Sequence, residues 1–335
     1  MAAGLAWFVL AALAGAPAPA RVAFGALQSD TPPDRLSATG LFADLRTRRL
    51  APGVVGYAPS ASLWADGAAK ERAIALPSGT QAAVSGPDLL DLPVGTVLVK
   101  TFAYPATATT PAQVMETRLL VRRASGWVAL PYVWEPSGRE ARLVRAGARL
   151  PVLAPGPEGH PLRLTWQVPN VNQCKTCHAR DGALEPLGVK ARNLVATGDL
   201  ARLAALGLVR GAHRGPVVPR PDDSTAPLDA RARAYLDANC GHCHRRGGSA
   251  SNSGLFLDWE EADPTALGIG KRPVAAGRGS GGHEVAIAPG RPDRSILVYR
   301  MESTEPGVMM PELGRTLPDR EGIALVRAWI AALRP

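Results

Sequence analysis

All four cysteines of this chain sit in two short motifs, Cys174-Lys175-Thr176-Cys177-His178 and Cys240-Gly241-His242-Cys243-His244. Two thiols three positions apart face the same side of one helical turn. Each can add to one of two vinyl groups on a single flat macrocycle, and the His that follows then falls beneath the metal at its centre. Cys-x-x-Cys-His is the attachment signature of haem c. A Cys-x-x-Cys pair alone also serves zinc sites and thiol–disulfide chemistry. Two local disulfides, or one zinc shared by both motifs, would use the thiols but would not require the two histidines. The motifs therefore predict two covalently bound haem c groups, on Cys174 with Cys177 and on Cys240 with Cys243. His178 and His244 are the expected proximal iron ligands.

Other soft or nitrogen donors could close the far side of each iron. Val308-Met309-Met310-Pro311-Glu312-Leu313-Gly314 offers two thioethers. Pro311 restrains the residue before it to an extended conformation, which selects Met310 as the axial ligand of the second haem. The first haem has no comparable donor nearby. Met115, His160, Lys190, His213 or none are the open choices. His242 lies inside its motif and is expected to point away from the iron, and His283 sits in a glycine-rich loop.

These groups need elements to hold them. Residues 30–168 read as a β-rich domain, a sandwich or barrel. Strand composition recurs at 72–76, 96–102, 114–123, 126–134 and 162–168, with a hairpin connection around Arg122–Gly126. Asp66, Lys70, Glu116 and Arg118 read there as surface or sheet-edge charges. Residues 169–225 carry the first haem motif and a linker. Pro169, Asn170 and Asn172 argue against a long helix before Cys174, and a short helix with Asp199 as its cap is expected from 199 to 206. Residues 226–335 read as a second haem domain. A helix over 229–239 leads into Cys240, and a final helix capped by Asp319 spans 320–333, with Ile323, Val326, Ile330 and Leu333 at helical spacing. This pair resembles the first and last helices of class I cytochrome c. The resemblance implies an all-α haem domain with a distal Met on the loop before the last helix. The expected fold is thus α+β and multidomain.

The chain has 335 residues, 46% of them hydrophobic, with 35 Gly and 31 Pro. That composition suits a packed core with many turns and excludes global disorder. The formal charge of +9 is spread along the chain with no nucleic-acid motif. A basic docking face for an acidic redox protein is the reading, with nucleic acid excluded. Leu5–Gly15 is apolar and of signal-peptide length, followed by Ala16-Pro17-Ala18 and Ala18-Pro19-Ala20. Residues 1–20 are read as a signal peptide, although no Lys or Arg precedes the apolar run. No other segment is apolar enough to cross a membrane, so the mature protein is expected in the periplasm.

Several stretches together resemble a family of bacterial dihaem c-type cytochromes with a β-rich N-terminal region. They are Pro93–Phe102, Glu116–Val121, Pro169–His178, Pro186–Leu194, Ala232–His244, Ala288–Arg300 and Met309–Gly314. The resemblance implies a periplasmic dihaem cytochrome and brings no substrate. Electron transfer, possibly as the electron-accepting partner of an exported oxidoreductase, is the functional expectation. A dihaem peroxidase-like enzyme with an open first haem is the alternative.

Overall fold

The computed structural model describes residues 21–86, 89–156 and 160–334; the expected signal peptide lies outside them. An N-terminal segment carries α1 (Phe24–Gln28) and a two-stranded ribbon of β1 (Phe42–Asp44) and β2 (Arg49–Leu50). The main sheet follows: β3 (Val54–Gly56), β4 (Ala69–Ala75), β6 (Val97–Tyr104), β7 (Gln113–Arg123), β8 (Gly126–Trp134) and β9 (Ala141–Leu143). It runs in the order β3-β4-β6-β7-β8-β9, antiparallel throughout. The short β5 (Ala82–Ala83) lies apart and pairs in parallel with β14 (Val209–Arg210). Arg123 pairs with Gly126 at the β7–β8 hairpin, whose two-residue connection leads into Gly126 at φ +124°. Glycine tolerates that backbone angle without steric cost.

Alternation along the strands gives the sheet two apolar faces. Val97, Val99, Leu119, Val121, Leu130 and Tyr132 pack under Leu27, Leu36 and Leu41 of the N-terminal segment. On the other face, Ile74 and Leu98 pack with Val189 and Leu194 of a following helical segment. Phe102, Tyr104 and Met115 meet Val152, Ala154 and Trp166 of a hairpin, β10 (Ala148–Pro155) with β11 (Pro161–Val168). Burial on both faces explains why the central strand β6 is buried at seven of its eight positions. The sheet is open and single, so the expected sandwich or barrel is corrected.

The chain then enters α2 (Val171–His178), which contains the first motif. Asn170 caps it: its side chain accepts from the Gln173 backbone N–H (2.8 Å), and the Gln173 side chain accepts from the Asn170 N–H (3.0 Å). A small hairpin, β12 (Ala179–Arg180) with β13 (Ala183–Leu184), leads on to α3 (Ala191–Val195) and α4 (Asp199–Ala205). Asp199 does not cap α4. Gly198 holds that place at φ +74°, and the Asp199 carboxylate accepts from the Ala58 N–H (2.6 Å) instead.

The last third departs from expectation most. The α-helices described there are α5 (Leu228–Asn239), α6 (Ile296–Glu302) and α7 (Arg320–Ala332). Residues 240–295 hold only 3-10 turns and isolated bridges such as Ile269↔Ile287. An all-α class I cytochrome c domain is therefore not what these residues form. Eight glycines at positive φ between 247 and 290 interrupt any helix in this stretch. The two flanking helices do pack together. Trp329 Nε1 on α7 donates to Asp229 on α5 (2.8 Å), and a Cβ at Gly322 would stand 2.2 Å from the Tyr235 ring. Asp319 caps α7 by accepting from the Gly322 N–H (3.0 Å).

The sheet and this last third are fastened at one point. The Asp66 carboxylate accepts from the backbone N–H groups of Thr316 (2.7 Å) and Leu317 (2.8 Å) and from the Thr316 hydroxyl (2.9 Å). Trp64 N–H donates to Asn239 (2.6 Å) at the end of α5. Asp66 is buried, so it is a joint and not a surface charge.

Candidate functional site

The joint encloses a cavity of about 370 Å³. One wall is the main sheet, through Arg72, Lys100, Phe102 and Arg118; others come from Trp166 on β11, from α2, from the end of α5 and from the loop Met309–Thr316. Cys174, Cys177 and His178 all line it, so the first motif opens into a ready space.

His178 ends α2, and its Nδ1 lies 2.7 Å from the Glu185 carbonyl oxygen. A carbonyl can only accept, so Nδ1 carries the proton and Nε2 keeps its lone pair. Burial in the cavity wall holds the imidazole pKa down to about 4, which keeps the ring neutral. His244 has the same arrangement by another route. Its Nδ1 is 3.2 Å from Ser253 Oγ, whose own proton goes to the Ala250 carbonyl (2.6 Å). Ser253 therefore accepts from Nδ1–H, and Nε2 of His244 is again free to bind a metal. Burial lowers the His244 pKa as well.

The two motifs meet. Ligand atoms of Cys177, His242 and Cys243 all lie within 4.8 Å of one another, and Cys243 Sγ is 3.5 Å from the Thr176 carbonyl oxygen. The hydrogen bond between Cys177 and Cys243 pushes the Cys177 thiol up and the Cys243 thiol down. Burial raises Cys174, and it raises Cys240 to about 12. His242 is buried, lines the cavity, and its Nδ1 has no hydrogen-bond partner.

The thioether loop is clamped from below. Arg300 Nε donates to the Val308 carbonyl (2.8 Å), and Arg315 donates through Nε (3.0 Å) and Nη2 (2.8 Å) to that of Met310. Met309 lines the cavity of the first motif, and Met310 is not among its lining residues. The other donors considered for the first haem are scattered. Met115 packs in the core between β7 and the β10–β11 hairpin. His160 is exposed beside that hairpin's end, and His213 Nε2 bonds the Pro216 carbonyl (3.0 Å). Lys190 lines the cavity, but its ammonium is paired with Asp237 (3.1 Å).

Sequence reasoning missed the charges on the sheet. Register places Arg72 opposite Lys100, and Lys100 opposite Arg118. Three cationic side chains thus stand abreast on β4, β6 and β7, and all three line the cavity. Glu116 is fully buried, pairs with Arg118 through two bonds and accepts from Trp166 Nε1 (3.0 Å). Neither Glu116 nor Arg118 is a sheet-edge charge. Only the pairing of the strands brings this row together, and no local spacing announces it. No helix among the described residues is long and apolar enough to cross a membrane. No family model matches the chain, and no curated protein or solved structure matches it.

Proposed function

We propose that this chain is an exported two-haem c-type cytochrome that transfers electrons. The observation that carries the reading is the state of the two motif histidines. Each has Nδ1 engaged and Nε2 free, at the end of a Cys-x-x-Cys pair. The first pair also opens on a cavity walled by Phe102, Trp166, Leu187 and Leu313, apolar surface suited to a flat macrocycle. In this reading Cys174 and Cys177 hold one haem with His178 on its iron, and Cys240 and Cys243 hold the other with His244 and Met310. Haem iron supplies reversible one-electron chemistry when bound. The chain fixes the ring tautomers and brings the attachment points of both groups together at Cys177 and Cys243. That adjacency supports transfer between two sites over a dihaem peroxidase-like enzyme. The periplasm is the proposed location, and the net charge of +9 supports an acidic redox protein as partner.

One observation favours a second reading. Cys177, His242 and Cys243 could together hold a soft metal such as zinc, shared by both motifs. The same sample separates the two. The pyridine haemochrome of the purified exported protein should give two haems per chain. Changing Cys174 and Cys177 to Ser should leave one, and so should changing Cys240 and Cys243. A folded, exported protein holding zinc and no haem would overturn the cytochrome reading.

A further inference from the structure

Cationic side chains abreast on neighbouring strands repel one another, and they are uncommon where no anion offsets them. The cavity holds such a row with little to balance it. Arg118 is satisfied by Glu116. Arg72 donates to the Ser62 hydroxyl (2.9 Å) and to the Lys70 carbonyl. Among the described residues Lys100 has no hydrogen bond or ion pair; its ammonium lies 4.8 Å from the centre of the Phe102 ring. Burial, with Arg72 and Arg118 beside it, pushes its pKa well down. Arg245, which follows His244 in sequence, lines the same cavity. It is only 8% exposed, and its Nε and Nη2 are buried without a partner. Of the carboxylates lining the cavity, Asp66 is committed to the Thr316–Leu317 backbone and Asp237 to Lys190 and Arg192, and Glu312 is exposed to solvent. A buried guanidinium with unused donors costs several kcal/mol unless an anion arrives.

We infer that Lys100 and Arg245, two cations lining one cavity, bind the two carboxylate groups of the macrocycle attached at Cys174 and Cys177. The inference rests on the cytochrome reading and adds what the motifs cannot say. Arg245, from the residue after the second motif, is contributed to the first haem's site, so the first haem's surroundings depend on the second motif's peptide. The cations also favour the reduced, more negative state of that haem and raise its potential.

The test uses the full exported protein carrying its haems, with Lys100→Gln and Arg245→Gln. Lys175→Gln is the control, since Lys175 is an exposed cation beside Cys174 whose charge solvent screens. Haem stoichiometry and optical redox titration are read together with infrared difference bands of isotopically labelled haem carboxylates. Both cavity variants should keep two haems. Each should shift the reduced-to-oxidised ratio of one haem at fixed potential by about tenfold or more toward oxidised, and move that haem's carboxylate bands. The control should do neither. If both variants match the control in potential and in carboxylate bands, the inference is overturned while the cytochrome reading stands. A protein without haem would overturn both.

Discussion

Met309 and Met310 are neighbours in the chain, yet only Met309 lines the cavity of the first motif. The loop therefore places the two thioethers differently, and one loop can offer a thioether to each group. Met309→Leu is expected to open one ferrous haem to carbon monoxide and leave the sulfur-to-iron near-infrared band of the other intact. Met310→Leu should remove that band and lower the potential of the other haem. Reversed results would assign the thioethers the opposite way round; no change in either variant would take both off the irons. The two Cys-x-x-Cys-His motifs could be picked out from sequence because their spacing is local. The Met309 placement could not, because it depends on how the loop is clamped by Arg300 and Arg315.

At the scale of elements, α5 is tied to the segment after the first motif by one carboxylate. Asp237 is buried and meets both Lys190 (3.1 Å) and Arg192 (3.3 Å), while Arg192 also reaches Glu260. Burial alone would raise the Asp237 pKa, but the two cations overcome it and hold it below the usual carboxylate range. Its contribution is therefore present above about pH 4 and lost as the pH falls through the lowered value. Asp237→Asn removes the carboxylate shared by Lys190 and Arg192 and should cost about 3–5 kcal/mol in denaturant unfolding at neutral pH. It should also flatten the acid limb of the stability profile; an unchanged limb would mean that Asp237 does not bind the elements together. The helix ends at Asn239 and Asp319 were readable from composition and capping, and so were the long strands β7 and β8. The stretch between α5 and α6 was not. Its apolar residues, such as Leu257, Leu267 and Ile287, are buried in the same core as the helices, and a core position looks alike in sequence whether a helix or a loop delivers it.

Across the whole molecule, sheet and C-terminal third share one interior site at their joint. The cation row on β4, β6 and β7, the first motif on α2 and Arg245 from the second motif all face it. None of the three is a neighbour of another in sequence, except that Arg245 follows His244. Strand register and the Asp66 fastening to Thr316 and Leu317 create the site, which is why a motif search finds the attachment points and not the chamber between them.

The Cys177–Cys243 contact sets an order of assembly. In a chain that closes before it is loaded, these two thiols from different attachment pairs lie against each other. In an oxidising compartment they would couple, and that crosslink would spoil both attachment sites at once by consuming one sulfur from each. For the proposed cytochrome, this would require at least one motif to be filled before the sheet docks onto the C-terminal third. Chain secreted without haem-attachment machinery should yield a crosslinked peptide joining Cys177 to Cys243. Disulfides confined within each motif would mean that attachment can follow folding.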